Sequence, residues 1–393
     1  MHRYANRRTG AIAALILGLV ALDWRDTEAH KAVTSPYKFN EDIFPILRDQ
    51  CASCHVANGV APMSLTMYND TPNGAVPWAE SMRELLISQQ MPPWYVDAAG
   101  PAVKGAHPIS ARDVDKLITW AAGGTPEGDI DKRPAAVPAF KPSWKGGEPD
   151  LKLEMPAEHT MPEGTSDETA TVTIPTNLTE ARWLKMVDVL PGAPQVVRNV
   201  VVSVAGGPVL AMWVPGDTPV AAPAGTGFKL DPGAKLTLEI HYKKQWQLEG
   251  QKVSDKSTVG LYFTTPPASG KGIQALDIDG AKMAKGERPD EQAFAATLTT
   301  PSRVVALTPS LDQVYGTVDV HAVSPSGAKV PLLLLRLPRP EWRRRYWLEK
   351  PADLPANSKI EVTVTPPPEF VDLASAKLMK TYPLQVSVDF VQP

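Results

Sequence analysis

Two textures of hydrophobic and polar residues divide this chain. Up to about residue 122 the apolar positions recur at helical spacing: FNEDIFPILRDQ, WAESMRELLISQQ and ARDVDKLITWAA each put an apolar stripe on one face of a helix. Ser110 stands where the last of these needs an N-cap, and Gly123-Gly124 where it needs a stop. Beyond residue 148 the period changes to two. TATVTIP, RWLKMVDVL, VVRNVVVSV, KLTLEIHY and TVGLYF form one batch of short alternating runs, and RVVALTP, VDVHAVSP, VPLLLL, IEVTVTP and LQVSVDF form another. Forty prolines, about twice the usual share, punctuate these runs. The pattern predicts a multidomain α plus all-β chain: a small all-α unit at 34–129, a Pro-rich linker at 130–148, and two antiparallel β-sandwiches at 149–285 and 286–393.

Ahead of these units, Arg3, Arg7 and Arg8 precede an apolar run at residues 11–22, which reads as a signal peptide covering residues 1–29 with cleavage near Ala29. The run is shorter than the roughly 20 residues that span a bilayer, so an uncleaved anchor is the weaker expectation. The predicted location is periplasmic or extracytoplasmic, with the membrane involved only indirectly. A formal net charge of −3 gives no basis for nucleic-acid binding.

The chemistry centres on Cys51-Ala52-Ser53-Cys54-His55. Cys-x-x-Cys-His is the attachment signature of c-type haem: the two thiols add to the vinyl groups and the following histidine ligates the iron. These are the only two cysteines in the chain, so none remains for a disulfide. A zinc site would need two further ligands of the right type nearby, and a redox dithiol would sit at a strand end in a βαβ unit. Neither context is present. Cys51 and Cys54 are therefore the predicted tethers of one covalent haem c and His55 one axial ligand.

Met91, in Gln90-Met91-Pro92-Pro93-Trp94, is the predicted second axial ligand, because the two prolines force an extended loop after a helix. Met63, Met67, Met82 and His107 compete with it. His/Met ligation raises the reduction potential relative to two histidines and suits an electron carrier. Residues 34–129 hold eleven Asp and Glu against six Lys and Arg, which favours a basic partner surface.

The haem motif with APMS, WAESM, MPPW and ITWAAGGTPEGD, followed by IPTN, MWVPGDTPVAAPAG, LEIHY and VGLYF, resembles a bacterial cytochrome c domain fused to a copper type II, ascorbate-dependent monooxygenase-like domain. That family is similar to peptidylglycine hydroxylating monooxygenase. The resemblance implies a class I-like cytochrome c fold, jelly-roll-like sandwiches and one copper in each sandwich. One family copper site takes a His-His pair plus a later His; the other takes His-x-His plus Met. Here Arg198-Asn199 replaces the pair and His241 alone matches the third ligand, while Pro309-Ser310-Leu311-Asp312 replaces the second motif. Met379 is the one candidate for the Met ligand. Copper is therefore not expected, and His159, His241 and His321 read as structural or surface residues.

The chain thus reads as a monohaem electron-transfer protein with no catalytic residue of its own, part of a larger extracytoplasmic redox complex. The copper-free sandwiches would dock a redox partner. Arg336, Arg339, Arg343, Arg344 and Arg345, interleaved with aromatics, are the predicted docking surface. The competing function is an active haem-coupled oxygenase with a remodelled metal site around His241.

Overall fold

The computed structural model describes residues 34–69, 72–286, 288, 290–369 and 381–392. The signal segment and Met379 lie outside the described residues.

The N-terminal part is not the all-α cytochrome unit that the helical spacing predicts. Its described residues hold three short helices, α1 (Phe44–Gln50), α2 (Ala79–Ile87) and α3 (Ala111–Ala122), with a π-helical turn at Phe39–Ile43 leading into α1. The apolar stripes are real, since Phe39, Ile43, Leu47, Met82, Leu86, Leu117 and Trp120 share one small core. Between the helices, however, Gly59, Pro62, Pro77, Pro92, Pro93, Pro101 and Pro108 interrupt every run long enough to propagate. The stretch at 94–107 instead runs out as a strap across the C-terminal sandwich. Val96 bridges Leu335 and Val103 bridges Leu348, both antiparallel. Tyr95 and Val103 are buried in that sandwich's core.

Nineteen strands follow among the described residues, which are mostly β. They are β1 (Leu151–Glu154), β2 (His159–Met161), β3 (Asp167–Pro175), β4 (Arg182–Leu190), β5 (Val197–Val204), β6 (Val209–Trp213), β7 (Phe228–Leu230), β8 (Lys235–Lys243), β9 (Val253–Asp255) and β10 (Thr258–Thr264). Then come β11 (Gln274–Asp279), β12 (Ala284–Lys285), β13 (Gln292–Leu298), β14 (Ser302–Ser310), β15 (Thr317–Val323), β16 (Lys329–Arg336), β17 (Tyr346–Leu354), β18 (Ser358–Thr365) and β19 (Gln385–Val391).

Two sheets, ordered β1-β10-β4-β7 and β3-β8-β5-β6, enclose the first core; alternate residues such as Leu236, Leu238 and Ile240 of β8 point into it. Sheets β11-β19-β14-β17 and β12-β13-β18-β15-β16 enclose the second. The strands β11 and β12, which a division at residue 285 assigns to the first sandwich, pair with β19 and β13 and belong to the second.

A register shift in β14 between Val304 and Ala306 joins the two sandwiches. Val304 points into the second core, while Val305 and Ala306, with Trp347 from β17, pack into the first. The residues at 34–129 contact both sandwiches, the second through the strap and the first through Cys54 and Val60, which hydrogen-bond to Pro215 and Arg198, so they are held in place rather than swinging on the linker. Among the described residues no helix is long and apolar enough to cross a membrane.

Candidate cofactor site

Where the N-terminal part meets the two sandwiches there is a cavity of about 700 Å³. That lies inside the range of roughly 300–1,000 Å³ seen for small-molecule and cofactor sites. Cys51, Cys54, His55, Met63, Met82 and Met91 all line it, with apolar walls from Leu65, Leu86 and Leu117. Helix α1 stops at Gln50, and the cysteine-histidine motif is a single helical-type turn in which the His55 amide donates to the Cys51 carbonyl at 2.8 Å. That turn brings both thiols and the imidazole to the cavity.

Burial sets the charge state of these groups. The Cys51 thiol is pushed up to about 12, first by desolvation and then by Cys54, and desolvation raises Cys54 as well. Both are free thiols. A reactive dithiol or a zinc ligand needs thiolate, which this environment disfavours. A neutral thioether is at home in it. His55 is pushed down to about 4 by desolvation, so its imidazole is neutral at pH 7, the form that ligates metal.

Met63 Sδ lies 3.2 Å from His55 Nδ1. It stands on the Nδ1 edge of the ring, which leaves Nε2 as the nitrogen available to a metal. Met91 reaches the cavity from the loop after α2, where its amide donates to the Leu85 carbonyl at 3.3 Å. Met67 is 39% exposed and is not among the cavity residues, whereas His107 is and sits edge-on to Trp94 with ring centroids 6.1 Å apart.

Three further groups close on the motif, and the sequence pattern placed none of them beside it. Arg198 is the extra residue of a bulge in β5, since Val197 pairs with Tyr242 while Asn199 pairs with His241. The bulge aims the guanidinium at the Val60 carbonyl, 2.9 Å away. Gln245 and Gln247 donate to the carbonyls of Gly59, Val60 and Pro62. Finally, the turn through Pro215 and Gly216 lies against the motif, with Cys54 Sγ donating to the Pro215 carbonyl at 3.4 Å. Gly216 has φ +86°, and a Cβ there would meet Ser53 Oγ at 2.7 Å. A Pro-Gly pair is a legible turn signal; its partner across the fold was not.

His241 also lines the cavity, but its ring nitrogens are engaged: Nε2 pairs with Asp167 Oδ1 at 2.8 Å and Nδ1 lies 3.3 Å from Asn199 Nδ2. Elsewhere, His159 stacks on Tyr242 and pairs with Glu168, and His321 pairs with Asp319. Ser310 ends β14, Leu311 is in the second core and Asp312 accepts from the Tyr315 hydroxyl. Among the described residues no group of three or more His, Cys, Asp or Glu is placed to hold a metal ion.

The arginines expected on an outer docking surface mostly face inward. Arg339, Arg344 and the Arg345 side chain are buried. Arg344 makes a two-point contact with Asp217 at 2.9 and 3.0 Å, donates to the Pro93 carbonyl and lies over the Trp94 ring. Arg345 pairs with Asp389 and donates to the carbonyls of Val209 and Leu210. Arg343 covers the Tyr382 ring, and Arg336, the exposed member, pairs with Asp97 on the strap. The cluster fastens the N-terminal part and both sandwiches to one another, because those contacts satisfy the guanidinium groups better than an open hairpin would.

No family model matches the chain, and no curated protein matches it. Among solved structures it is similar to the major capsid protein P2 from Bacteriophage PM2 at 11% identity and TM-score 0.28, over 61% of this chain and 96% of that one. It is also similar to an allantoicase at 12% identity and TM-score 0.19, over 56% and 77% of the two chains.

Proposed function

We propose that the chain is an exported electron-transfer protein carrying one covalent haem c, tethered by Cys51 and Cys54 and ligated by His55 and Met91. The observation that carries this reading is the convergence of two neutral thiols, a neutral imidazole and a thioether on one largely apolar cavity of cofactor size. Bound there, a haem supplies a one-electron iron couple. The residues do the rest. Cys51 and Cys54 fix the group to the chain, the apolar walls keep water from it, and Arg198, Gln245 and Gln247 hold the loop that follows His55. Met91 is preferred over Met63 because Met63 occupies the Nδ1 edge of the His55 ring.

The sandwiches, resembling a copper monooxygenase-like pair, serve in this reading as walls for the haem rather than as copper carriers. His241, with both ring nitrogens engaged, is left out of metal chemistry. The electron donor and acceptor are redox proteins of an extracytoplasmic complex.

The test is iron, copper and haem content per chain after export in a host that matures c-type cytochromes, purified without chelators. One iron per chain, in a haem that survives denaturation and is lost in Cys51→Ser with Cys54→Ser, is the expected result. A chain without covalent haem overturns the reading. Stoichiometric copper beside the iron puts an oxygenase at His241 in its place. Met91→Ala should abolish the sulfur-to-iron charge-transfer absorption of the oxidised protein; if the band persists, Met91 is not the ligand.

A further inference from the structure

The first sandwich sets a positive charge beside the cysteine-histidine motif and gives it no carboxylate. Arg198, the extra residue of the β5 bulge, is half-buried and lines the cavity. Its Nη1 donates to two neutral acceptors, the carbonyls of Val60 at 2.9 Å and Gln195 at 3.3 Å. Among the described residues Arg198 makes no ion pair. The peptide group between Val60 and Ala61 is shared between two partners: its carbonyl accepts from Arg198, and its N–H donates to the Cys54 carbonyl at 3.2 Å. The guanidinium therefore stands two hydrogen bonds away from one of the residues predicted to tether the haem.

Other arginines on the cavity wall are matched by carboxylates, Arg344 by Asp217 and Arg345 by Asp389. Asp167 is the carboxylate whose charge reaches Arg198, but its oxygens are turned to His241 at 2.8 Å and Lys243 at 3.6 Å. Desolvation brings Arg198 down to about 10, so it is still charged at pH 7. Carbonyl acceptors fix a guanidinium in place without cancelling its charge. A haem filling the cavity would shield Arg198 further from water, and a charge acts more strongly where the effective dielectric is below that of water. Ferric haem carries one positive charge more than ferrous haem, so a cation beside it costs the oxidised state more.

We infer that the uncancelled charge of Arg198 raises the reduction potential of the haem held by Cys51 and Cys54, so that the first sandwich sets the energy at which the electron is carried. This rests on the haem reading above. Arg198 acts through its field, not by ligating iron, and the role is separable from its hold on the Val60 loop because charge and hydrogen bonding can be changed independently.

The experiment uses the full-length haem-loaded chain and its Arg198→Gln and Arg198→Lys variants. Haem per chain and the sulfur-to-iron absorption are measured first and stay at wild-type levels, since neither tethers nor axial ligands are altered. The midpoint potential at pH 7 follows. Arg198→Gln keeps a donor for the Val60 carbonyl and loses the charge; at a fixed ambient potential its oxidised-to-reduced ratio should move about tenfold towards oxidised, a fall of about 59 mV for one electron. Arg198→Lys keeps the charge and should stay close to wild type. The fall should persist at about 1 M salt, where charges in open solvent are screened beyond about 3 Å. Where the glutamine variant does not accumulate, Arg198→Met removes the same charge and is read the same way. A neutral variant with full haem and an unchanged potential overturns the inference and leaves the haem reading standing. So does a lysine variant that falls as far as the neutral one, because the effect then belongs to the loop contact. A wild-type chain without haem removes both.

Discussion

Asp217→Ala is the perturbation with the clearest consequence, because Asp217 is the counter-ion of a buried arginine that touches three parts of the molecule. Arg344 exposes 6% of its side chain and makes two hydrogen bonds to the Asp217 carboxylate while also holding the Pro93 carbonyl. Burial works against the Arg344 charge, and Asp217 more than offsets it, leaving the guanidinium above its ordinary value. Removing one partner of a buried pair costs about 3–5 kcal/mol, since the other charge is stranded. Asp217 is 23% exposed, so water enters the gap and the lower end, about 3 kcal/mol, applies. At roughly 2–4 °C per kcal/mol for a unit of 150–250 residues, the first calorimetric transition should fall by about 6–12 °C. Calorimetry of Asp217→Ala, Arg344→Met and the double variant tests this. The double variant should be less destabilised than the sum of the singles by about 2 kcal/mol, because removing both charges strands neither. A single Asp217→Ala variant whose transition stays within about 1 °C of wild type would refute the view that this pair bears weight in the fold.

Three further outcomes follow from the same geometry. Asp97 sits below the usual carboxylate range, first through its hydrogen bond from the Ala99 amide and then through Arg336. Its contribution is thus complete above the unfolded value near 3.9 and is lost as pH falls through the lower folded value. Hydrogen exchange across residues 94–107 should therefore be faster in Asp97→Asn than in wild type at pH 7, with the difference vanishing in strong acid; a difference that persists there contradicts the assignment. Gly216→Ala should lower the yield of haem-loaded protein, because the new Cβ clashes with Ser53 and the residue is held at φ +86°; an unchanged yield would show that the turn yields freely. Gln245→Ala with Gln247→Ala removes the donors to the Gly59, Val60 and Pro62 carbonyls, and should make residues 59–62 a preferred protease site with little change in overall melting.

The alternating runs were the most legible part of the sequence. TATVTIP lies in β3 and KLTLEIHY lies in β8, where burial alternates along most of the strand and depends on local residues alone; RWLKMVDVL is β4, buried on both faces along much of its length. ARDVDKLITWAA is α3 with Ser110 as its cap, for the same reason. The reading failed where structure depends on partners far along the chain. Helical spacing at 37–120 suggested a continuous α unit, yet the segment after Pro93 finds its hydrogen bonds on β16 and β17, some 240 residues away. The arginines failed likewise: a run of cations reads as a surface until their acceptors, Asp217, Pro93, Asp389 and Leu210, are seen to converge from other elements. Met91 and the cysteine-histidine motif share a cavity, but nothing local announces that Arg198 and Arg339 share it too.

That non-local construction constrains how a haem would enter. Its walls come from residues as far apart as Cys54 and Pro215, which touch, and Pro93 and Arg344, which are hydrogen-bonded across 251 positions. On the haem reading, a covalent group attached to Cys51 and Cys54 is expected to be in place before both sandwiches fold and the strap at 94–107 is laid down, because afterwards the half-buried thiols face a cavity closed on several sides by those elements. The neutral thiols of the finished fold, raised by desolvation, are poor nucleophiles, which points the same way. Chain folded without haem should then resist later loading, and unfolding in denaturant should restore it. If folded apo-protein instead takes up covalent haem as readily as unfolded chain, the cavity opens on its own, and the fastenings through Arg344 and Asp97 are weaker than their geometry implies.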